Sequence, residues 1–103
     1  MGIMERQFRK NLRLNMLELM NYSKTRKNKK RFSIADVCQQ LESIYLVSSR
    51  KPKIDEINVA MKYLIDRSLI DNHPMGDVMV HTITDKGREL LKLIAEGDDT
   101  AII

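Results

Sequence analysis

Residues 53–91, KIDEINVAMKYLIDRSLIDNHPMGDVMVHTITDKGRELL, decide the fold, because their apolar spacing changes twice. Ile57, Met61, Leu64 and Ile65 recur at helical spacing, with Ile54 and Ala60 beside them. This predicts a helix over 53–68 with that face inward. Pro52 suits its first turn, and Asp55, Val59, Lys62, Tyr63 and Asp66 take the opposite face. Leu69-Ile70 then opens a strand expected at 69–72. His73-Pro74-Met75-Gly76-Asp77 supplies turn residues, and 78–83 form the second strand of a hairpin. Thr84 caps a further helix over 85–96, with Leu90, Leu91, Leu93 and Ile94 apolar and Gly97 as its stop.

Upstream, Met4, Phe8, Leu12, Met16, Leu19 and Met20 form one apolar stripe of a helix over 5–22. Leu14 and Leu17 lie off that stripe, on the side shared with Ile3. Residues 21–30 are a polar, basic connection without Gly or Pro. Ser33-Ile34-Ala35-Asp36 reads as a capping box, with Asp in place of the usual Glu. The helix it opens runs to about Tyr45, with Ile34, Val37, Cys38, Leu41, Ile44 and Tyr45 inward. Cys38 is expected as a small core residue, since nothing beside it would stabilise a thiolate. A short linker, 46–53, completes the chain's connections.

The 103 residues fit one domain, expected at 1–97, with a short tail at 98–103. A content of 43% hydrophobic and 31% charged residues is that of an ordinary globular core. No apolar run reaches the roughly 18 residues of a membrane span, and the charged N-terminus does not read as a signal peptide. Arg6 stands where a myristoylation signal needs Ser or Thr. The single cysteine excludes an internal disulfide. A cytoplasmic protein, nucleoid-associated if it binds DNA, is therefore expected. Catalysis is not. His73 and His81 are read as exposed hairpin residues, and a metal would need Asp71 or Asp77 as further ligands. The glycines, at 2, 76, 87 and 97, build no phosphate loop. No catalytic residue, cofactor or metal is assigned.

Charge is divided along the chain. Residues 1–53 carry a net +9 and residues 54–103 a net −5. Lys24, Arg26, Lys27, Lys29, Lys30 and Arg31 place six cations in eight residues, and Arg50, Lys51 and Lys53 form a second cluster. Two basic clusters flanking one helical segment point to a polyanionic partner.

The order is helix, basic connection, helix, short turn, helix, hairpin, helix. Residues 57–70, INVAMKYLIDRSLI, resemble the recognition helix and first wing strand of winged-helix regulators, with Ser68 where that family usually has Gly. Residues 80–91, VHTITDKGRELL, resemble the second wing strand and the helix after it, with Thr84, Lys86 and Gly87 in a Thr-x-Lys-Gly arrangement. The chain thus resembles winged-helix proteins of the MarR or PadR sort over about residues 10–95. The resemblance implies a mainly α winged helix-turn-helix: a three-helix core, a β-wing and a C-terminal helix.

The expectation is a small transcriptional regulator binding double-stranded DNA. Lys24, Arg26, Lys27, Lys29, Lys30, Arg31, Arg50, Lys51 and Lys53 would hold phosphates, and Asn58, Lys62 and Tyr63 would face base edges. Two features oppose this. Asp55 and Glu56 occupy the first turn of the groove helix, and the wing has no Lys or Arg. The alternative is a non-catalytic adaptor holding a protein through Val59, Tyr63 and Ile65, and an RNA-binding winged helix stands third. A homodimer is expected through Ile3, Leu14, Leu17, Leu93 and Ile94, with the apolar Ala101-Ile102-Ile103 tail contributing.

Overall fold

In the computed structural model, residues 3–21 and 31–97 are described. They form α1 (Ile3–Asn21), β1 (Phe32–Ser33), α2 (Ile34–Ile44), α3 (Ile54–Asp66), β2 (Ile70–Met75), β3 (Val78–Ile83) and α4 (Asp85–Ala95). Four helices thus pack with a small antiparallel sheet of strand order β1-β3-β2.

The core follows the helical periods. Leu12, Met16 and Met20 of α1, Val37 and Leu41 of α2, Ile57, Met61 and Leu64 of α3, and Leu91 of α4 are buried together with Leu69 and Ile70. Ile34 and Leu90 are half-buried against them. The second stripe of α1 joins the same core: Leu17 is 0% exposed and Leu14 packs against the cluster. The reason is that α1 touches α2, α3, α4 and β3, so more than one of its sides is covered. Ile44 and Ile54, expected inward, are exposed, since each sits in a terminal turn of its helix.

Local chemistry sets the helix starts. Ser33 Oγ accepts the Asp36 N–H at 3.2 Å, and Asp36 Oδ2 accepts the Ser33 N–H at 3.1 Å, completing the capping box despite the shorter acid. Ser33 also ends β1, a strand the sequence reading lacked: Phe32 lies opposite His81 and Ser33 opposite Val80. Two residues are too few to show an alternating pattern. The hairpin turn is also tighter than expected. Pairing continues to Met75 opposite Val78, so His73, Pro74 and Met75 belong to β2, and only Gly76-Asp77 turns. Gly76 has φ +64°, which suits glycine at the first central position of a two-residue hairpin loop. Among the described residues nothing pairs with the outer side of β2, and all its residues after Ile70 are exposed.

The end of α3 is tied to the start of α4 through three consecutive carbonyls. Lys86 Nζ donates to the Arg67 carbonyl at 2.9 Å, Thr84 Oγ1 to the Ser68 carbonyl at 2.7 Å, and the Thr84 N–H to the Leu69 carbonyl at 3.1 Å. Thr84 Oγ1 also accepts the Gly87 N–H at 3.0 Å, capping α4. Ser68 lies in the left-handed region at φ +60°, the conformation that explains a glycine preference at this point of the chain. Gly87 is required by space rather than by φ. A Cβ there would stand 2.4 Å from the Leu69 carbonyl oxygen and 2.8 Å from Ile83 Cγ1.

Two substitutions test this junction in urea denaturation. Gly87→Ala forces α4 off the β2 entry and should destabilise by several kcal/mol, beyond the ~1–3 kcal/mol of ordinary overpacking, because the obstructing atom is backbone. Ser68→Gly should stabilise by about 0.5–1 kcal/mol, since relief of left-handed strain (~1–2 kcal/mol) exceeds the extra entropy lost by glycine. A neutral Gly87→Ala variant would contradict the packing.

Candidate nucleic-acid interface

The candidate interface is built on α3. Its first turn is fixed by Glu56, whose Oε1 accepts the Lys53 N–H at 2.9 Å. Arg50 then closes on the same carboxylate with both arms, Nη1 to Oε1 at 3.0 Å and Nη2 to Oε2 at 2.6 Å. Such two-pronged pairing is the strong form of this interaction. Nη2 also reaches Glu5 Oε2 of α1 at 3.3 Å, and the guanidinium lies 4.0 Å from the Phe8 ring centre. Phe8 leans on Tyr45 with ring centres 5.9 Å apart, and Asn15 Nδ2 donates to the Tyr45 hydroxyl at 2.9 Å. The hydrogen bond from Arg50 is the main cause holding the Glu56 carboxyl at about 2. Arg50 is raised above its ordinary value by Glu56 and then Glu5.

Arg50 is therefore not placed as a phosphate contact. Its charge is taken up by two carboxylates in joining α1 to α3. The correction has a second half: Glu56, expected to repel phosphate, is paired by the same bond, and the three groups together keep one negative charge.

The outward face of α3 presents Asp55, Asn58, Val59 and Lys62 to solvent, with Val59 70% exposed. Lys62 pairs with Asp66 at 3.0 Å, an exposed contact worth little that still keeps the ammonium on this face. Lys51 and Lys53 are exposed at the helix start. Arg31 is exposed beside the hairpin, its Nη1 3.9 Å from Met75 Sδ. Lys24, Arg26, Lys27, Lys29 and Lys30 lie outside the described residues.

Tyr63 does not offer its ring to bases. It is half-buried, with the Arg13 guanidinium 4.2 Å and the Arg67 guanidinium 3.5 Å from its ring centre. Ile65, expected on an adaptor surface, packs against the core. Of the expected dimer residues, Leu17 is buried within the chain and unavailable to a second copy. Leu14, Leu93 and Ile94 are half-buried, and the side chain of Ile3 lies outside the described residues. The hairpin end exposes Met75, Val78 and Met79.

Arg9, Arg13 and Arg67 were missed as a group. Arg9 and Arg13 stand four apart on α1, a spacing that could have joined them, but Arg67 meets Arg13 at the Tyr63 ring only through the fold. Arg9 and Arg13 line a groove of about 410 Å³ between α1 and α3, together with Leu12, Asp55, Glu56, Val59 and Ala60.

The two histidines part company. His73 is exposed, whereas His81 is only 7% exposed, because it stands on the middle strand of the sheet, against which α1 and α2 pack. Its Nδ1 has no hydrogen-bond partner among the described residues. Burial first, and the neighbouring His73 second, lower its pKa. Burial raises the Cys38 thiol, the opposite of what a reactive thiolate needs. Among the described residues, no three His, Cys, Asp or Glu gather as a metal site, and no helix is long and apolar enough to cross a membrane. Comparison of the chain with protein-family models and with curated proteins found no match.

Both shifted groups make stability depend on pH, in separate windows. His81 is held neutral in the folded chain, so its contribution is complete above about 6.5, the unfolded value, and is lost as pH falls below it. The Glu56 contribution is present above about 4.3, the unfolded value, and is lost as pH falls toward about 2. Thermal melts across pH should therefore show two declines. His81→Leu should remove the upper one and Arg50→Gln the lower one. An upper decline that survives His81→Leu would assign it elsewhere.

Proposed function

We propose that the chain is a winged helix that binds double-stranded DNA, with α3 entering the major groove and the β2–β3 hairpin lying beside it as the wing. The observation that carries this reading is the face of α3. It is packed on one side only, presents Asn58 and Lys62 outward, and has Lys51 and Lys53 exposed at its start. A helix fits the major groove, and cations at its end suit the flanking phosphates. The acidic first turn, the strongest objection in the sequence, is softened by the Arg50–Glu56 bond, with Glu5 sharing that one cation. The run from Lys24 to Arg31 supplies the larger, sequence-independent attraction. Tyr63 and Arg50 drop out of the direct contacts and serve to position others. A homodimer belongs to the same reading, through Leu14, Leu93 and Ile94, since two copies would read two half-sites. On this reading the protein would act in the cytoplasm, associated with the nucleoid.

A second reading, a protein-binding module, is favoured by the apolar groups on the exposed surface: Val59 on α3 and Met75, Val78 and Met79 on the hairpin.

Fluorescence anisotropy against random duplex DNA, single-stranded DNA and RNA at two salt concentrations separates these readings. Duplex should bind best and weaken with salt. Replacing Lys27, Lys29 and Lys30 with Ala should weaken all duplexes alike and flatten the salt slope by about 2–3. Lys62→Ala should change sequence preference instead. If the triple replacement leaves duplex affinity unchanged, the DNA reading fails. Sedimentation at micromolar concentration checks pairing: a single 12.0 kDa species excludes the dimer.

A further inference from the structure

Apolar side chains crowd the connection between α2 and α3. Ile44, Leu46, Val47 and Ile54 are all exposed there, and Val47 is 95% exposed. Single exposed apolar residues are ordinary on a protein surface, but a group of four on one short segment marks a contact surface. Hydrogen bonds give the segment a set shape. The Leu46 N–H donates to the Ser43 carbonyl at 3.4 Å, and the Ser48 N–H to the Tyr45 carbonyl at 3.1 Å. Arg50 Nη1 donates to the Lys51 carbonyl at 2.9 Å, while the same guanidinium is bound to Glu56 and Glu5. Leu46 and Val47 are thus presented as a preformed knob, which lowers the ordering cost of any contact they make.

Next in the chain to this knob is the lining of a groove of about 280 Å³ between α2 and α3. Its floor is apolar, with Leu41 and Tyr45 from the α2 side and Ile54 and Ile57 from α3. Glu42 lines it from α2 and Lys51 from the segment before α3. Both are exposed, and neither forms an ion pair among the described residues. The volume falls below the ~300–1,000 Å³ of small-molecule sites and suits a few side chains. Charge decides whose side chains these are. A partner of one sign would set Glu42 or Lys51 against its like. A second copy, turned about a two-fold axis, brings its Lys51 to the first copy's Glu42 and its Glu42 to the first copy's Lys51. The same rotation sets each Leu46–Val47 knob against the other copy's apolar floor. An isologous contact needs one surface that carries both halves of its own complement, and this surface does.

We propose that two copies of the chain pair through the α2–α3 connection, with Leu46 and Val47 of each seated in the other's groove and Glu42 meeting Lys51 twice across the axis. The contact is separate from the one assigned to Leu14, Leu93 and Ile94, and it does not depend on the DNA reading. Lys51 is the one residue that the two readings share. Pairing occupies it and leaves Lys53 and the run from Lys24 to Arg31 for phosphate.

The test is sedimentation of the full chain and its variants across micromolar concentrations. Val47, Glu42 and Lys51 are all exposed, so substitutions there should leave the circular dichroism spectrum unchanged. The wild type should self-associate, and Val47→Asp should reduce that association. Glu42→Lys or Lys51→Glu alone sets like charges together at both contacts and should raise the dissociation constant about tenfold or more. The double variant Glu42→Lys, Lys51→Glu should regain wild-type pairing. Mixing the two single variants should regain it as well, since both contacts of the mixed dimer then join opposite charges. That recovery is the mark of a two-fold contact between copies and not of a surface for another protein. A wild type that stays at 12.0 kDa overturns the proposal. Association unchanged by Val47→Asp also overturns it and belongs to another surface, such as that of Leu14, Leu93 and Ile94. A mixture that associates no better than its two components overturns the two-fold pairing.

Discussion

Three backbone carbonyls in a row, those of Arg67, Ser68 and Leu69, bear on everything after α3. The last carbonyls of α3 itself accept from the N–H groups of residues 67–69, and the carbonyls of those three residues accept in turn from Thr84 and Lys86, far along the chain. The hairpin is thereby closed at its base, and Gly87 lets α4 come within backbone contact of the same point. Three elements, α3, the hairpin and α4, depend on one small junction. The outward face of α3 can be aimed only because its end is anchored there and its start is anchored by Arg50.

Those two anchors differ in kind. The junction is made of steric contact and of hydrogen bonds to uncharged carbonyls, one of them from the Lys86 ammonium. The Arg50 bond to Glu56 and Glu5 is ionic and half-exposed, so it is open to acid and to screening. The start of α3 is consequently the end that solution conditions can loosen. It is also the end where Lys51 and Lys53 stand exposed.

Much of the fold was legible because the signals are local. The apolar periods of α1, α2 and α3, the Ser33–Asp36 box and the Thr84-Asp85-Lys86-Gly87 start of α4 each lie within a few residues of sequence, and each is present in the structure. The site was less legible because its partners are distant. Arg50 reads as a free cation until Glu5 is brought to it across 45 residues. Tyr63 reads as an exposed aromatic until Arg13 arrives from α1. Leu17 and His81 were misplaced for a related reason: a residue's burial depends on what covers it, and α1 and β3 are covered by elements remote in sequence. Strand β1 has too few residues to carry a pattern of its own.

The free edge of the sheet has a bearing on how the protein behaves in concentrated solution. Strand β2 turns outward a flank that no described residue pairs with, and an open strand of this kind templates association with like strands. Pro74 has no N–H to give to an incoming chain, and Asp71 would have its carboxylate pressed against a neighbour carrying the same charge. The strand is also only six residues long and ends in a tight turn. The edge therefore guards itself against growth into fibrils, and it does so with the same residues that leave the wing without positive charge.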